Sequence, residues 1–101
     1  MKLTNEFNLI REWAKNKGIY DKGDKKTQFI KLQEEVGELA VSILKNKELD
    51  FIDAIGDCIV VLTNLAALEG IKIEDCINSA YKEIANREGN MINGTFVKNE
   101  K

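Results

Sequence analysis

Asp50-Phe-Ile-Asp53-Ala-Ile-Gly-Asp57-Cys-Ile-Val-Val-Leu-Thr-Asn64-Leu-Ala-Ala-Leu68 is the stretch from which the fold is read. At about 100° per residue, Asp50, Asp53, Asp57 and Asn64 fall on one narrow helical stripe. Phe51, Ile52, Ile55, Ile59, Val60, Val61, Leu62 and Leu65 cover the remaining sides. A helix that is apolar on every other side is expected to be buried. Acids on such a helix are costly unless something positive neutralises them. Upstream, Glu34, Glu35 and Glu38 form a second acidic run with helical spacing. A bound cation is the simplest remedy for acids gathered in this way.

Working outward, the chain has no proline and no sustained strand-like alternation. Four helices are expected, over residues 5–17, 25–46, 50–68 and 73–88. Gly18 ends the first, Asp24 is a good N-cap for the second, and Gly70 stops the third. Asp50 is placed near the N-cap of the third. The first helix has its apolar face on Leu3, Phe7, Ile10 and Ala14, with Trp13 set to one side. The second buries Phe29, Leu32, Val36, Leu39, Ala40 and Ile43, with Lys31, Glu35, Glu38 and Ser42 on an adjacent stripe. The fourth buries Ile77, Ala80, Tyr81 and Ile84. Gly56, in mid-helix, either admits a close neighbour or is merely tolerated. Residues 89–101 read as an irregular tail. The expectation is one all-α domain over residues 1–101, with a core at about 5–88.

At 101 residues, this chain buries only about 60–65% of its unfolded surface as a monomer. Covering an apolar central helix on all sides calls for a second chain. The expected architecture is therefore of the four-helix-bundle type, completed by oligomerisation as a homodimer or homotetramer.

Composition excludes several kinds of chemistry. There is no histidine, which removes the commonest general base and most catalytic zinc sites. The two cysteines, Cys58 and Cys76, make neither a disulfide framework nor a zinc ribbon, and Cys58 reads as a small buried hydrophobe. A metal here must be held by oxygen, which favours Mg²⁺ or Mn²⁺. A net charge of −2 gives no reason to expect nucleic acid. No apolar run approaches the roughly 18 residues of a membrane span, and the N-terminus lacks a secretory core, so a cytoplasmic protein that does not use a membrane is expected.

Glu35 and Glu38 are neighbours on one helical face, as are Asp53 and Asp57. Two antiparallel helices with a short link can set these pairs opposite each other, with room for more than one ion once a phosphate arrives. Taken alone, Glu34 reads as part of a solvated face, and Lys82 and Arg87 as ordinary surface cations.

Lys31-Leu-Gln-Glu-Glu-Val-Gly-Glu-Leu-Ala40, followed by residues 53–66, resembles the MazG-like nucleoside triphosphate pyrophosphohydrolases of the all-α NTP pyrophosphatase superfamily. The segment 80–97 looks like the short single-domain forms found in phages. The family signature is Glu-x-x-Glu, a spacer, then Glu-x-x-Asp, which Glu35, Glu38 and Asp57 match. The third acid would fall at position 54, where this chain has Ala54, and the neighbouring Asp53 is the substitute. The resemblance implies hydrolysis of a nucleoside triphosphate to a monophosphate and pyrophosphate. It implies Glu35, Glu38, Asp53 and Asp57 as ligands of Mg²⁺ (or Mn²⁺), and Glu34 as the residue that polarises the attacking water. Lys82 and Arg87 would bind phosphate, with Lys31, Asn64 and Asn86 as further polar contacts to substrate. Trp13 and Phe7 are candidates for stacking on the base, although core packing is favoured for both. The rival readings are a non-catalytic oligomeric protein that binds nucleotide or metal, and a purely structural helical bundle.

Overall fold

The computed structural model describes residues 3–100 and places five helices before a β-hairpin. The elements are α1 (Leu3–Asn16), α2 (Ile19–Lys22), α3 (Lys25–Leu44), α4 (Glu48–Leu68), α5 (Ile73–Ile84), β1 (Gly89–Ile92) and β2 (Thr95–Lys98). The Asp24 side chain caps α3, its carboxylate accepting a 2.8 Å hydrogen bond from the Thr27 N–H. The residues 45–47 that follow reverse the chain, with Asn46 left-handed at φ 54. α4 then runs back along α3, and Lys25 at the start of α3 pairs with Glu69 just past the end of α4. Gly70, at φ 71, takes the left-handed position that ends α4. α4 is the central element, packing chiefly on α3 and also on α1, α2 and α5.

Several boundaries differ from the sequence expectation. The link after Gly18 holds the short α2, whose Tyr20 hydroxyl donates a 2.7 Å hydrogen bond to Oδ1 of the buried Asn64. α4 begins at Glu48 rather than Asp50, which puts Asp50 inside the first turn, where the positive helix end favours a carboxylate. α5 ends at Ile84, four residues early. The tail expected to be irregular forms an antiparallel hairpin that pairs Met91 with Phe96 and Ile92 with Thr95. Its turn, Asn93-Gly94, has both residues at positive φ (50 and 83), the conformation that an Asn-Gly pair favours between two short strands.

The larger correction concerns which faces are covered. α3 turns Glu35 and Ser42 inward, with Leu32 and Leu39 half-buried, while Phe29, Val36 and Ile43 on the expected core face stay exposed. α4 buries only Ala54, Val61, Thr63 and Asn64, and leaves Ile52, Ile55 and Ile59 open. α5 buries nothing, and Tyr81 is 63% exposed. The physical reason is geometric: among the described residues only α3 packs extensively on α4, with smaller contacts from α1, α2 and α5, and the remaining apolar stripes have nothing to pack on. The side chain of Leu3 lies outside the described residues. A Cβ at Gly56 would meet nothing within 4 Å outside its own helix among the described residues, so no described neighbour uses its lack of a side chain.

α4 also corrects the expectation about membrane-spanning length. Its 21 residues include an 18-residue stretch of mean hydropathy 1.8, long and apolar enough to cross a membrane. The Asp50, Asp53 and Asp57 stripe is what opposes that use, because intramembrane acids are expensive.

α1 is tied to the start of α5 by a bidentate pair, with both Glu74 oxygens 2.6 Å from Arg11 guanidinium nitrogens. Hydrogen bonding from Arg11 holds the Glu74 carboxyl down to about 2. A carboxyl lowered in the folded state stabilises the fold above its unfolded range and loses that contribution as pH falls towards 2. Arg11→Ala is therefore expected to cost roughly 1 kcal/mol in urea unfolding at pH 7. The difference from the parent protein should shrink steadily between pH 4.5 and 2.5, and an unchanged difference would contradict the pairing.

Candidate metal and nucleotide site

The facing halves of α3 and α4 enclose a cleft of about 490 Å³. Glu34, Gly37, Glu38, Val41 and Ser42 of α3 line it, opposite Asp50, Asp53, Ala54 and Asp57 of α4. The helical spacings explain the convergence. Glu34 and Glu38 lie one turn apart on one helix, and Asp50, Asp53 and Asp57 recur at three and four residues on the other. Glu34, Glu35 and Glu38 each bring a carboxylate oxygen within 4.8 Å of the other two, a spacing at which one ion can bridge them.

Electrostatics mark the site as short of positive charge. Glu35 lies beneath the cleft with its side chain 8% exposed, and its Oε1 is 3.3 Å from Lys31 Nζ. Its Oε2 is buried with no hydrogen-bond partner. Lys31 is shared, being also 3.3 Å from Glu34 Oε1, and these two carboxylates raise its affinity for its proton. Burial first, then the charge of Glu35 and that of Asp53, push the Asp57 carboxyl up, against a smaller opposing effect of Lys31. Burial first, then the charges of Glu35 and Asp57, raise the Cys58 thiol, which favours its protonated form. One lysine does not balance this group of acids. An unpartnered buried oxygen beside clustered carboxylates fits a hard divalent cation, which takes such oxygens directly.

The sequence-derived ligands Glu38, Asp53 and Asp57 line the cleft together with Glu34, and Glu35 joins them from below. Asp53 and the buried Ala54 both line the cleft, so a longer acid at position 54 would also face it, and Asp53 is the acid present beside that position. Asp50 also lines the cleft. The sequence marks it as a member of the acid stripe and as a residue near the start of the helix, but not as a ligand. Other assignments separate from the site. Asn64 is buried and bonded to Tyr20, away from the cleft, so within this chain it holds α2 on α4 rather than meeting a ligand. Lys82, Asn86 and Arg87 do not line the cleft either. Asn86 and Arg87 instead border a separate hollow with Glu83, Glu88, Lys98 and Asn99, where α5 gives way to the hairpin. Trp13 is 49% exposed rather than packed in a core, and Phe7 is half-buried.

Residues 24–92 match the MazG nucleotide pyrophosphohydrolase domain, which takes in the cleft, α5 and the first strand. Over 57 residues, 56% of this chain, the sequence is 44% identical to an uncharacterised 18.2 kDa protein from the rep–hol intergenic region of Haemophilus phage HP1 (strain HP1c1). The matched stretch covers 35% of that protein's length. No solved structure matches the chain.

If the acids are short of a cation, divalent metal should stabilise the fold. At a hundred times its dissociation constant, Mg²⁺ is expected to add about 2.7 kcal/mol to unfolding stability. Asp57→Asn should lose that increment yet be no less stable than the parent in EDTA, because it removes a carboxylate that its neighbours repel. Chemical denaturation with Mg²⁺ or EDTA measures both, and an equal Mg²⁺ effect in the variant would contradict the site.

Proposed function

The chain belongs to the MazG nucleotide pyrophosphohydrolase family, and from that premise we propose that it hydrolyses nucleoside triphosphates between the α and β phosphates. Water adds to the α-phosphorus, the bridging bond to the β-phosphate breaks, and the monophosphate and pyrophosphate leave. The observation that supports this most strongly is the under-neutralised ring of carboxylates around the α3–α4 cleft. Mg²⁺, or Mn²⁺ in its place, would be held by Glu35, Glu38, Asp53 and Asp57. When bound, it supplies the positive charge that screens the triphosphate and favours ionised water. Glu34, on the rim, is placed to accept the water's proton once Lys31 is engaged by Glu35. Asp50, which also lines the cleft, would enlarge the ligand set.

Oligomerisation forms part of the same proposal. The chain exposes 8194 Å², against about 5,800 Å² for a compact monomer of 11.4 kDa. Its radius of gyration is 16.1 Å, against about 13 Å for a compact chain of this length. An excess of about 2,400 Å² per chain is of the order that obligate homodimers bury. The open stripes Phe29/Val36/Ile43 on α3 and Ile77/Tyr81/Ile84 on α5 are the surfaces a second copy would cover. Since Lys82, Asn86 and Arg87 do not reach the cleft of their own chain, their expected role on phosphate would be exercised on the cleft of a partner.

A pyrophosphate-specific product assay with Mg²⁺ tests the reaction. Glu38→Gln and Asp57→Asn should each cut kcat/KM by about a hundredfold or more, some 2.7 kcal/mol of transition-state stabilisation. A folded protein that binds Mg²⁺ and nucleotide without releasing pyrophosphate would favour the non-catalytic reading, with Ala54 at the expected acid position as its basis. Separately, sedimentation equilibrium at micromolar concentration should give a dimer or tetramer that Ile77→Asp with Tyr81→Asp shifts towards monomer. A wild-type monomer would contradict the assembly.

A further inference from the structure

Lys31 is not part of the cleft lining, yet it is the cation bonded to the acids around it. Its Nζ is divided between Glu34 Oε1 and Glu35 Oε1, at 3.3 Å from each. A closed charge-assisted hydrogen bond of this kind is about 2.7–2.9 Å long, so neither contact is complete. The two acceptors differ in need. The Glu34 side chain is 58% exposed and is solvated by water, whereas that of Glu35 is 8% exposed. Glu35 Oε2 is buried with no hydrogen-bond partner. The terminal torsion of a glutamate is broad, so a carboxylate held at neither oxygen has no fixed aim. The contact from Lys31 at Oε1 sets the direction of Oε2. Helix stability does not account for the pair, because a lysine one turn before a glutamate is the less favourable order.

We infer that Lys31 is a positioning residue, which holds Glu35 by Oε1 so that Oε2 is left aimed and unshared for the divalent ion. The inference rests on the metal-dependent reading above and deepens it, since it gives the two oxygens of one carboxylate separate duties. It differs from the direct contact with substrate that the resemblance implies for Lys31, because the lysine acts here through Glu35. Carboxylates that ligate metals are themselves hydrogen-bonded, and loss of that outer partner costs about ten- to a hundredfold in metal affinity. The sign of the effect separates this role from simple charge balance. An ammonium beside a cation site repels the incoming ion, so removing a lysine that only balances charge tightens metal binding. Removing a lysine that positions a ligand weakens it.

The experiment titrates the full-length protein with Mn²⁺ alone, without nucleotide, and follows free Mn²⁺ by electron paramagnetic resonance. Lys31→Met should raise the Mn²⁺ dissociation constant by about tenfold or more, and Lys31→Arg, which keeps the charge and the donors, should recover most of the loss. Lys31 is half exposed, so these variants should fold, and Lys31→Gln serves as a second neutral variant with the same expected direction. Lys25→Met removes the same charge from the same helix, but the partner of Lys25 is Glu69, just past the end of α4. Its Mn²⁺ affinity should stay within about twofold of the parent. Added to Glu35→Gln, Lys31→Met should weaken binding no further, because the lysine acts through that carboxylate. Tighter or unchanged Mn²⁺ binding in Lys31→Met overturns the positioning role, and so does a loss that adds in full to that of Glu35→Gln. Mn²⁺ binding that falls in Lys31→Met, in a parent that releases no pyrophosphate, would instead sink the catalytic reading and leave the positioning role standing. Pyrophosphate release that Lys31→Met impairs only by raising KM for the nucleotide, with Mn²⁺ affinity intact, would do the reverse.

Discussion

Mutual repulsion among the carboxylates of α3 and α4 is the constraint on which the rest of the structure turns. Glu34, Glu35, Glu38, Asp50, Asp53 and Asp57 are gathered by a helical hairpin with a three-residue link, and Lys31 is the cation bonded to them. A chain selected only for stability would not put Glu35 beneath the cleft with one oxygen unpartnered. Burial of such a group costs free energy that packing of the surrounding helices must offset. That cost is explained if a divalent ion and the phosphates it carries complete the charge balance.

The same economy of elements accounts for the exposed surface. α4 is apolar on most sides, yet among the described residues it has one extensive neighbour, α3, and smaller contacts with α1, α2 and α5. α5 and the hairpin after it leave Ile77, Tyr81, Met91 and Phe96 uncovered. A two-stranded hairpin standing alone is marginal in water. Here the Phe96 ring lies over Gly89, where a Cβ would stand 2.7 Å from the ring and 2.2 Å from the Val97 carbonyl oxygen. The hairpin is thus closely fitted within itself while Met91, Ile92, Phe96 and Val97 stay exposed.

Much of this was legible in the sequence because it follows from helical periodicity. The acid stripe of α4, the Asp24 cap and the Gly70 stop all depend on spacing and local backbone chemistry. The family was legible from Glu35, Glu38 and Asp57 in their surrounding segments. Two things were not. Which stripe of α3 faces α4 depends on competition between Phe29/Val36/Ile43 and Glu35/Ser42, and the structure turns Glu35 and Ser42 inward. Periodicity shows that two stripes exist but not which partner each one meets. The hairpin was missed for another reason: its strands are four residues long, too short for alternation to register, and the Asn93-Gly94 turn was its clearest signal. The fate of Asn64 was unreadable in principle, since its partner Tyr20 lies in a helix of four residues far away in sequence.

Direct location of the metal tests the central claim most sharply. Crystals grown with Mn²⁺ and a triphosphate whose α–β bridge resists hydrolysis would be measured for anomalous scattering. The account predicts a manganese peak between α3 and α4, within ligand distance of carboxylate oxygens from Glu38 and Asp57, with the triphosphate bound to it. A bound triphosphate with no manganese at these carboxylates, or manganese held only elsewhere on the surface, would contradict it.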